Sequence, residues 1–95
     1  MRVDGVLVGG CEVHVRAPGL ATVSYWTFPP FRRRGYASRA TRLLCDWAFA
    51  ELGLERIELH AEEDNLGSRG VARRAGFSDT ARRDANGLFV YERRR

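Results

Sequence analysis

LATVSYWTFPPFRRRGYASRATRLLCDWAFAELGLERIELHA, residues 20–61, contains the changes of periodicity that set the fold. Residues 20–28 are rich in β-branched and aromatic side chains and predict a strand. Two prolines follow and end this strand, because proline donates no backbone hydrogen bond. Residues 36–52 carry apolar side chains at helical spacing, whereas residues 56–61 alternate apolar and polar side chains. The stretch therefore predicts a strand, a helix and a second strand.

A strand–helix–strand unit makes its two strands parallel and its crossover right-handed. We therefore expect an α/β or α+β fold with a mixed sheet. Gly53 follows the helix at the position where a left-handed C-terminal cap is expected. The helix face expected to cover the sheet consists of its apolar residues Ala37, Ala40, Leu43, Leu44, Trp47, Ala48 and Leu52.

The segments on either side of this unit predict further strands and a second helix. A strand antiparallel to residues 20–28 is expected before the Pro18-Gly19 turn. Asp64 or Asn65 is the expected N-cap of the second helix. Asn86-Gly87 is a typical hairpin turn. The expected bounds are residues 6–15 for the first strand, about 66–75 for the helix, and 77–83 and 88–92 for the hairpin strands.

Composition and charge restrict the class of protein. The chain has 95 residues, 44% hydrophobic and 29% charged, as expected for one globular domain. No apolar run is long enough to span a membrane, and the first residues lack the features of a secretion signal. Cys11 and Cys45 match no zinc or redox motif, so we expect reduced thiols in a cytoplasmic protein.

A basic loop precedes the long helix and contains Arg32, Arg33, Arg34 and Gly35. Ligands of such units settle where the helix begins, and the unpaired N–H groups and dipole of that end favour an anion. The glycine lets an oxygen approach the backbone without meeting a Cβ. The alternative is a solvated basic loop. The net charge of +4 also allows nucleic-acid binding, but these arginines cluster at one helix start instead of sharing a face with aromatic residues. We expect neither nucleic acid nor a membrane as a partner.

A second motif opens the shorter helix, where Asn65 and Ser68 stand three residues apart. This spacing places both side chains on one face of the first turn. Gly76 and Phe77 follow the helix. The alternative interpretation is that Asn65 is only a cap, Ser68 a tolerated polar residue and Gly76 a C-cap.

Together, the two motifs resemble those of the GNAT superfamily of acetyl-CoA-dependent N-acetyltransferases. The likeness is to its RimJ/RimL-like branch, which acetylates N-terminal amines of ribosomal proteins, among other amines. Ser24-Tyr25-Trp26 also resembles the branch's strand before the loop. The family loop, Arg/Gln-x-x-Gly-x-Gly/Ala, is matched by Arg32, Gly35 and Ala37. The branch pattern, Asn-x-x-Ser-x-x-Val ending in Gly-Phe, is matched by Asn65, Ser68, Val71, Gly76 and Phe77.

The resemblance implies that the chain binds acetyl-CoA and transfers its acetyl group to a primary amine, either a protein N-terminus or a small amine. Asn65 would bond the pantetheine arm, and Ser68 would donate a proton to the departing thiolate. Glu62 is a weaker catalytic candidate. The residues implied in coenzyme A binding are Trp26, Thr27 and Phe28 on the strand edge, Arg32, Arg33, Arg34, Gly35, Tyr36, Ala37 and Ser38 around the diphosphate, and Asn65 and Ser68.

The chain departs from the family pattern at the expected general base. The branch often places a glutamate in the strand before the loop, where this chain has Thr22, which cannot act as a base. Glu62 and His60 are substitutes, and Glu12 is a weaker one. The alternative is that these are exposed strand residues.

The chain also lacks the family's first strand and first two helices, which usually form one wall of the amine site. We therefore expect residues 1–95 to form a single GNAT-like domain that is truncated at its N-terminus. The alternative function is a coenzyme A-binding module without transferase activity. Apolar surface around Leu7, Val8, Tyr25 and Trp26 would need cover, which predicts a homo-oligomer, most simply a dimer.

Overall fold

The computed structural model describes residues 2–3, 6–7, 9–27 and 35–95. Their strands are β1 (Arg2–Val3), β2 (Val6–Leu7), β3 (Gly9–Ala17), β4 (Leu20–Thr27), β5 (Arg56–Ala61), β6 (Ser78–Arg83) and β7 (Phe89–Arg94). The helices are α1 (Tyr36–Leu52) and α2 (Leu66–Arg74).

Five strands form one mixed sheet in the order β3-β4-β5-β7-β6, in which only β4 and β5 are parallel neighbours. This confirms the predicted mixed sheet and the strand–helix–strand unit. The prediction of a single strand over residues 6–15 is wrong at its start. Val6–Leu7 pairs with Arg2–Val3 in a separate antiparallel hairpin, and the long strand begins at Gly9.

Strands β4 and β5 pair over only part of their length. Their register consists of three pairs, Leu20↔Arg56, Ala21↔Ile57 and Thr22↔Glu58. Strand β4 nevertheless continues to Thr27 and β5 to Ala61. A notch therefore opens between the carboxyl ends of the two strands, on the side where both helices begin.

Glycines in the left-handed region bound helix α1. Gly35 is its N-cap, with φ 77°, and Gly53 is its C-cap, with φ 63°. The predicted helix bounds and C-cap are confirmed. At this conformation a side chain is strained, which explains glycine at both ends.

The buried face of α1 differs from the predicted apolar face. Leu43 and Trp47 are 64% and 52% exposed, so they do not cover the sheet. The residues that do are mostly small: Ser38, Thr41, Cys45, Ala48 and Phe49. Small side chains let the helix approach the strands closely. The prediction failed because it weighted side-chain hydrophobicity and not the fit of the helix against the sheet.

Both helices lie on the same face of the sheet. Cys11 of β3 contacts Thr41 of α1, and its cross-strand partner Tyr25 contacts Ser68 of α2. Tyr91 of β7 is fully buried on this face. The remaining core includes Ala21, Val23, Leu54, Ile57, Leu59, Ala61, Ala72, Ala75 and Phe77.

The hairpin after α2 contains a turn and a bulge. The Asp84 carboxylate accepts hydrogen bonds from the backbone N–H groups of Asn86 and Leu88, which fixes the predicted Asn86-Gly87 turn. The β6–β7 register shifts between Asp79 and Arg83, and Ala81 within this bulge has φ 61°. Alanine in this region is strained.

Candidate functional site

The N-terminus of α1 lies beside the notch and is suited to an anion. Its N-cap, Gly35, has no side chain to cap the helix, and the first turn has no acidic residue. The first helical hydrogen bond runs from the Arg39 N–H to the Gly35 carbonyl at 3.1 Å. A Cβ built on Gly35 would meet only the end of the Arg39 side chain, at 3.9 Å, among the described residues, and Gly35 is exposed. The end of the helix thus presents positive potential without an acidic side chain of its own.

A cationic side chain reaches this end from α2. Arg74 Nε donates a hydrogen bond to Ser38 Oγ at 3.0 Å, and Ser38 is buried in the first turn of α1. Gly70 leaves room for this guanidinium, because a Cβ there would lie 3.1 Å from Arg74 Nη1. A guanidinium beside a helix N-terminus is repelled by the helix dipole, and a bound anion would relieve that repulsion.

The start of α2 forms the other side of the notch. Asn65 is the N-cap, and its Oδ1 accepts a hydrogen bond from the Ser68 N–H at 3.0 Å. This confirms that Asn65, and not Asp64, caps the helix. Ser68 is half-buried on the first turn. The cap fixes the backbone of Ser68, so its hydroxyl has a defined position.

Tyr25 connects β4 to Ser68 across the open part of the sheet. Its phenol O–H donates to Ser68 Oγ at 2.6 Å. Burial raises the pKa of Tyr25, although the hydrogen bond to Ser68 and the nearby Arg74 act in the opposite direction. The phenol is therefore protonated at neutral pH. The sequence interpretation used this part of β4 only as a backbone edge and missed the side chain. The period-two series Ala21, Val23 and Tyr25, which points toward the helices, is the signal that could have found it.

The other predicted site residues fall into four groups. Gly35, Tyr36, Ala37 and Ser38 form the start of α1 as expected. Trp26 and Thr27 end β4 beside the notch, whereas Phe28, Arg32, Arg33 and Arg34 lie outside the described residues. Glu62 is exposed directly after β5, and its backbone carbonyl accepts a hydrogen bond from the Asn65 N–H at 3.1 Å.

The candidate bases other than Glu62 are engaged by other side chains. His60 lies between two carboxylates: its Nδ1 is 2.8 Å from Asp84 Oδ2 and its Nε2 is 3.0 Å from Glu58 Oε1. Burial lowers the pKa of His60, but these two hydrogen bonds outweigh burial and raise it. The two carboxylates favour the charged form of His60, which makes it less suited to accept a proton. Glu12 lies 3.1 Å from the exposed His14 on β3.

Thr22 stands at the last β4–β5 pair, and its hydroxyl accepts a hydrogen bond from Arg16 Nε at 2.9 Å. Thr22 therefore offers no carboxylate at this point of the notch.

Neither described helix is long and apolar enough to cross a membrane.

The chain is similar in sequence to acetyltransferases. The acetyltransferase (GNAT) domain family matches residues 1–78. YdaF of Bacillus subtilis, provisionally named a ribosomal N-acetyltransferase, is 34% identical over 89 residues, which cover 92% of this chain and 48% of YdaF. YjdG of the same bacterium, an uncharacterized N-acetyltransferase, is 34% identical over 59 residues, 62% of this chain and 35% of YjdG. The chain thus spans about half the length of these relatives or less.

Solved structures share the fold. An acetyltransferase from Agrobacterium tumefaciens superposes with a TM-score of 0.80 at 26% identity. The match covers 97% of this chain and 56% of the Agrobacterium chain. An aminoglycoside acetyltransferase in complex with coenzyme A has a TM-score of 0.86 at 15% identity. The match covers 99% of this chain and 63% of the aminoglycoside acetyltransferase chain. At that identity the likeness concerns the fold alone.

Proposed function

The chain belongs to the GNAT acetyltransferase family, and from this premise we propose that it transfers an acetyl group from acetyl-CoA to a primary amine by direct attack. The observation that supports this most is the notch between β4 and β5, which leads to the uncapped start of α1 on one side and to Asn65 and Ser68 on the other. A primary amine at a protein N-terminus or on a small molecule is the proposed acceptor. The name of YdaF supports the RimJ/RimL-like branch.

The described residues fit coenzyme A in two respects. The diphosphate needs a positive, open backbone surface, which the α1 start offers through Gly35 and the adjacent Arg74. The pantetheine arm needs an unpaired strand edge for its amides, and β4 has no β5 partner after Thr22 among the described pairs. Asn65 and Ser68 would then lie along the arm, near its sulfur end.

Acetyl-CoA supplies an activated thioester when bound. The chain's part is to hold it extended, to polarise the carbonyl through a backbone N–H of β4, and to give a proton to the sulfur from Ser68. Glu62 is the proposed proton acceptor for the amine, because it is exposed next to the α2 start. His60 is less suited, since two carboxylates stabilise its charged form.

A coenzyme A-binding module without transferase activity is the second candidate. The Thr22 hydroxyl is already hydrogen-bonded to Arg16, so this position offers no base, which favours the binding module.

We propose a cytoplasmic location for the protein on the basis of its free Cys11 and Cys45. The homo-oligomer stays a prediction. Copies would pair at a sheet edge, and among the described strands β3 and β6 each have a neighbour on one side only.

The first experiment measures coenzyme A binding by calorimetry and by thermal shift. A ligand that binds only the native state stabilises it, by about 2.7 kcal/mol at a hundredfold excess over Kd. Gly35→Val should weaken binding by at least about tenfold, or ~1.4 kcal/mol, because the branched side chain disfavours the left-handed backbone and covers the anion surface.

Gly53→Val is the matched control for this variant. Gly53 has a similar positive φ at the other end of α1, and a Cβ built there would meet no described atom within 4 Å, so valine carries a comparable backbone strain without a clash. It should lower stability and leave coenzyme A affinity unchanged. Equal affinity in both variants would reject the α1 start as the binding surface. Thiol release over a panel of amines then separates a transferase from a binding module.

A further inference from the structure

Tyr25 and Ser68 form a side-chain hydrogen bond across the notch. Among the described residues it is the only side-chain hydrogen bond between β4 and α2. The β4–β5 pairs end three residues before Tyr25, so the backbone there does not close the gap. The two residues are 43 positions apart in the chain. Their contact is therefore a product of the fold and not of local sequence.

The direction of this hydrogen bond determines what the serine can do. Tyr25 donates, so Ser68 Oγ accepts and its own hydrogen is left for another acceptor. The Ser68 N–H is already bonded to Asn65 Oδ1. The cap thus holds the serine backbone and the phenol holds its oxygen, while its O–H is left to donate to another acceptor.

A serine alone is a weak source of a proton for a thiolate. An alcohol is less acidic than a thiol by about seven powers of ten, whereas a phenol is less acidic by only about one to two. If the proton comes from the phenol and passes through the serine, the difference in pKa that opposes its transfer to the thiolate is therefore much smaller. Burial raises the pKa of Tyr25 above its ordinary value, the hydrogen bond to Ser68 and the nearby Arg74 act against that rise, and Cys11 on β3 adds to it.

We propose that Tyr25 is a positioning residue for Ser68 and the source of the proton that Ser68 passes to the sulfur. This rests on the proposed function. The amine nitrogen forms a bond to the carbonyl carbon and loses a proton to Glu62, and when the carbon–sulfur bond breaks, its electron pair goes to the sulfur. Ser68 gives its proton to that thiolate, Tyr25 gives its own to Ser68 Oγ, and the phenolate recovers a proton from water. No oxidant or further reactant is needed.

The kinetic test compares Tyr25→Phe, Ser68→Ala and the double variant. Tyr25→Phe should lower kcat by at least about tenfold with little change in the KM for acetyl-CoA, because general acid catalysis contributes roughly 10²–10⁴-fold. In the Ser68→Ala background the same change should have no further effect, since Tyr25 acts through Ser68. Unchanged kcat in Tyr25→Phe, or losses that multiply in the double variant, would overturn the inference.

Tyr91→Phe is the matched control. Tyr91 is also buried, and its hydroxyl accepts a hydrogen bond from Arg69 Nε of α2 at 3.0 Å, but it lies on β7, away from the notch. Removing this hydroxyl should lower the melting temperature and leave kcat unchanged. A parallel loss of kcat in Tyr91→Phe would show that Tyr25 acts only through the packing of α2.

A binding measurement tests the same chain of contacts without turnover. Tyrosine labelled with ¹³C at Cζ gives a Tyr25 signal that Tyr25→Phe identifies. Coenzyme A should shift this signal more than desulfo-coenzyme A, which lacks the sulfur, and Ser68→Ala should remove the difference. Equal shifts with both ligands would reject the inference while leaving the proposed function in place. If neither ligand binds, the proposed function fails, and the inference fails with it.

Discussion

The two borders of strand β5 differ. Toward β7 it pairs along its whole length, from Arg56↔Arg94 to Ala61↔Phe89. Toward β4 it pairs over three residues and then separates. We refer to these as the closed border and the open border. One strand thus contributes stability on one side and a place for a ligand on the other.

Side chains reinforce the same difference. On the closed border, Glu58 and His60 of β5 bind Arg82 and Asp84 of the last hairpin, through contacts of 2.8–3.3 Å. These side chains therefore hold one another across the closed border. The open border has the single Tyr25–Ser68 contact among the described residues and the exposed start of α1. Changes at the open border should therefore affect activity, and changes at the closed border should affect stability.

The largest expected effect is at the open border. Ser68→Ala should lower turnover by roughly 10²–10⁴-fold while coenzyme A affinity and melting temperature change little, because a proton donor acts in the transition state. Ser78→Ala, at an exposed serine that begins β6, is the control and should leave all three unchanged. Equal turnover in wild type and Ser68→Ala, with an active amine, would leave Ser68 as a polar residue on a helix surface.

The closed border should respond to pH. The hydrogen bonds to Asp84 and Glu58 outweigh burial and raise the pKa of His60, so its contribution is complete below its ordinary value and is lost as pH rises through the raised one. Burial raises the pKa of Glu58, but hydrogen bonds from His60 and Arg82 outweigh it and the net direction is down. The contribution of this carboxylate is therefore lost only in acid. The melting temperature should therefore fall as the pH rises above about 6.5, the ordinary pKa of histidine, through the raised pKa of His60.

His60→Gln tests this assignment. The variant should be less stable than wild type near pH 6, and its melting temperature should fall less as the pH is raised, because the titrating group is gone. His14→Gln is the control, since His14 is the chain's other histidine and lies exposed on β3. A wild-type slope that survives in His60→Gln would show that another group causes the pH dependence. Coenzyme A affinity should be unchanged in both variants.

Local sequence rules predicted the elements well because each has its own signal. The bounds of α1 and β5, the Asn65 cap and the Asn86-Gly87 turn follow from periodicity and from residues with specific backbone preferences. The buried face of α1 followed only in part, because the distance between helix and sheet depends on small side chains such as Ser38 and Thr41 and on what they meet on the strands.

The site was predictable to the extent that it is local. Gly35 and the Asn65–Ser68 pair lie within short motifs, and both were found. Tyr25 and Arg74 were missed as side-chain partners, because they meet Ser68 and Ser38 only after the chain has folded across 43 and 36 positions. Contacts of this kind depend on the separation of β4 from β5, which no residue pattern within either strand encodes.

The smallest expected effect concerns the bulge in β6, the strand that pairs with the far side of β7. Ala81 has φ 61°, and its N–H is bonded to Asp79 Oδ1 at 2.8 Å, so its conformation is fixed by the hairpin. Ala81→Gly should stabilise the fold by up to about 1 kcal/mol, because relief of the left-handed strain exceeds the entropy that glycine loses on folding. Ala85→Gly, an exposed alanine of the same hairpin without a positive φ, should be neutral or destabilising. Denaturant unfolding of both variants measures the difference. A loss of stability in Ala81→Gly equal to that in Ala85→Gly would mean that the bulge stores no strain. Unchanged coenzyme A affinity in either variant would agree with a closed border that serves stability alone.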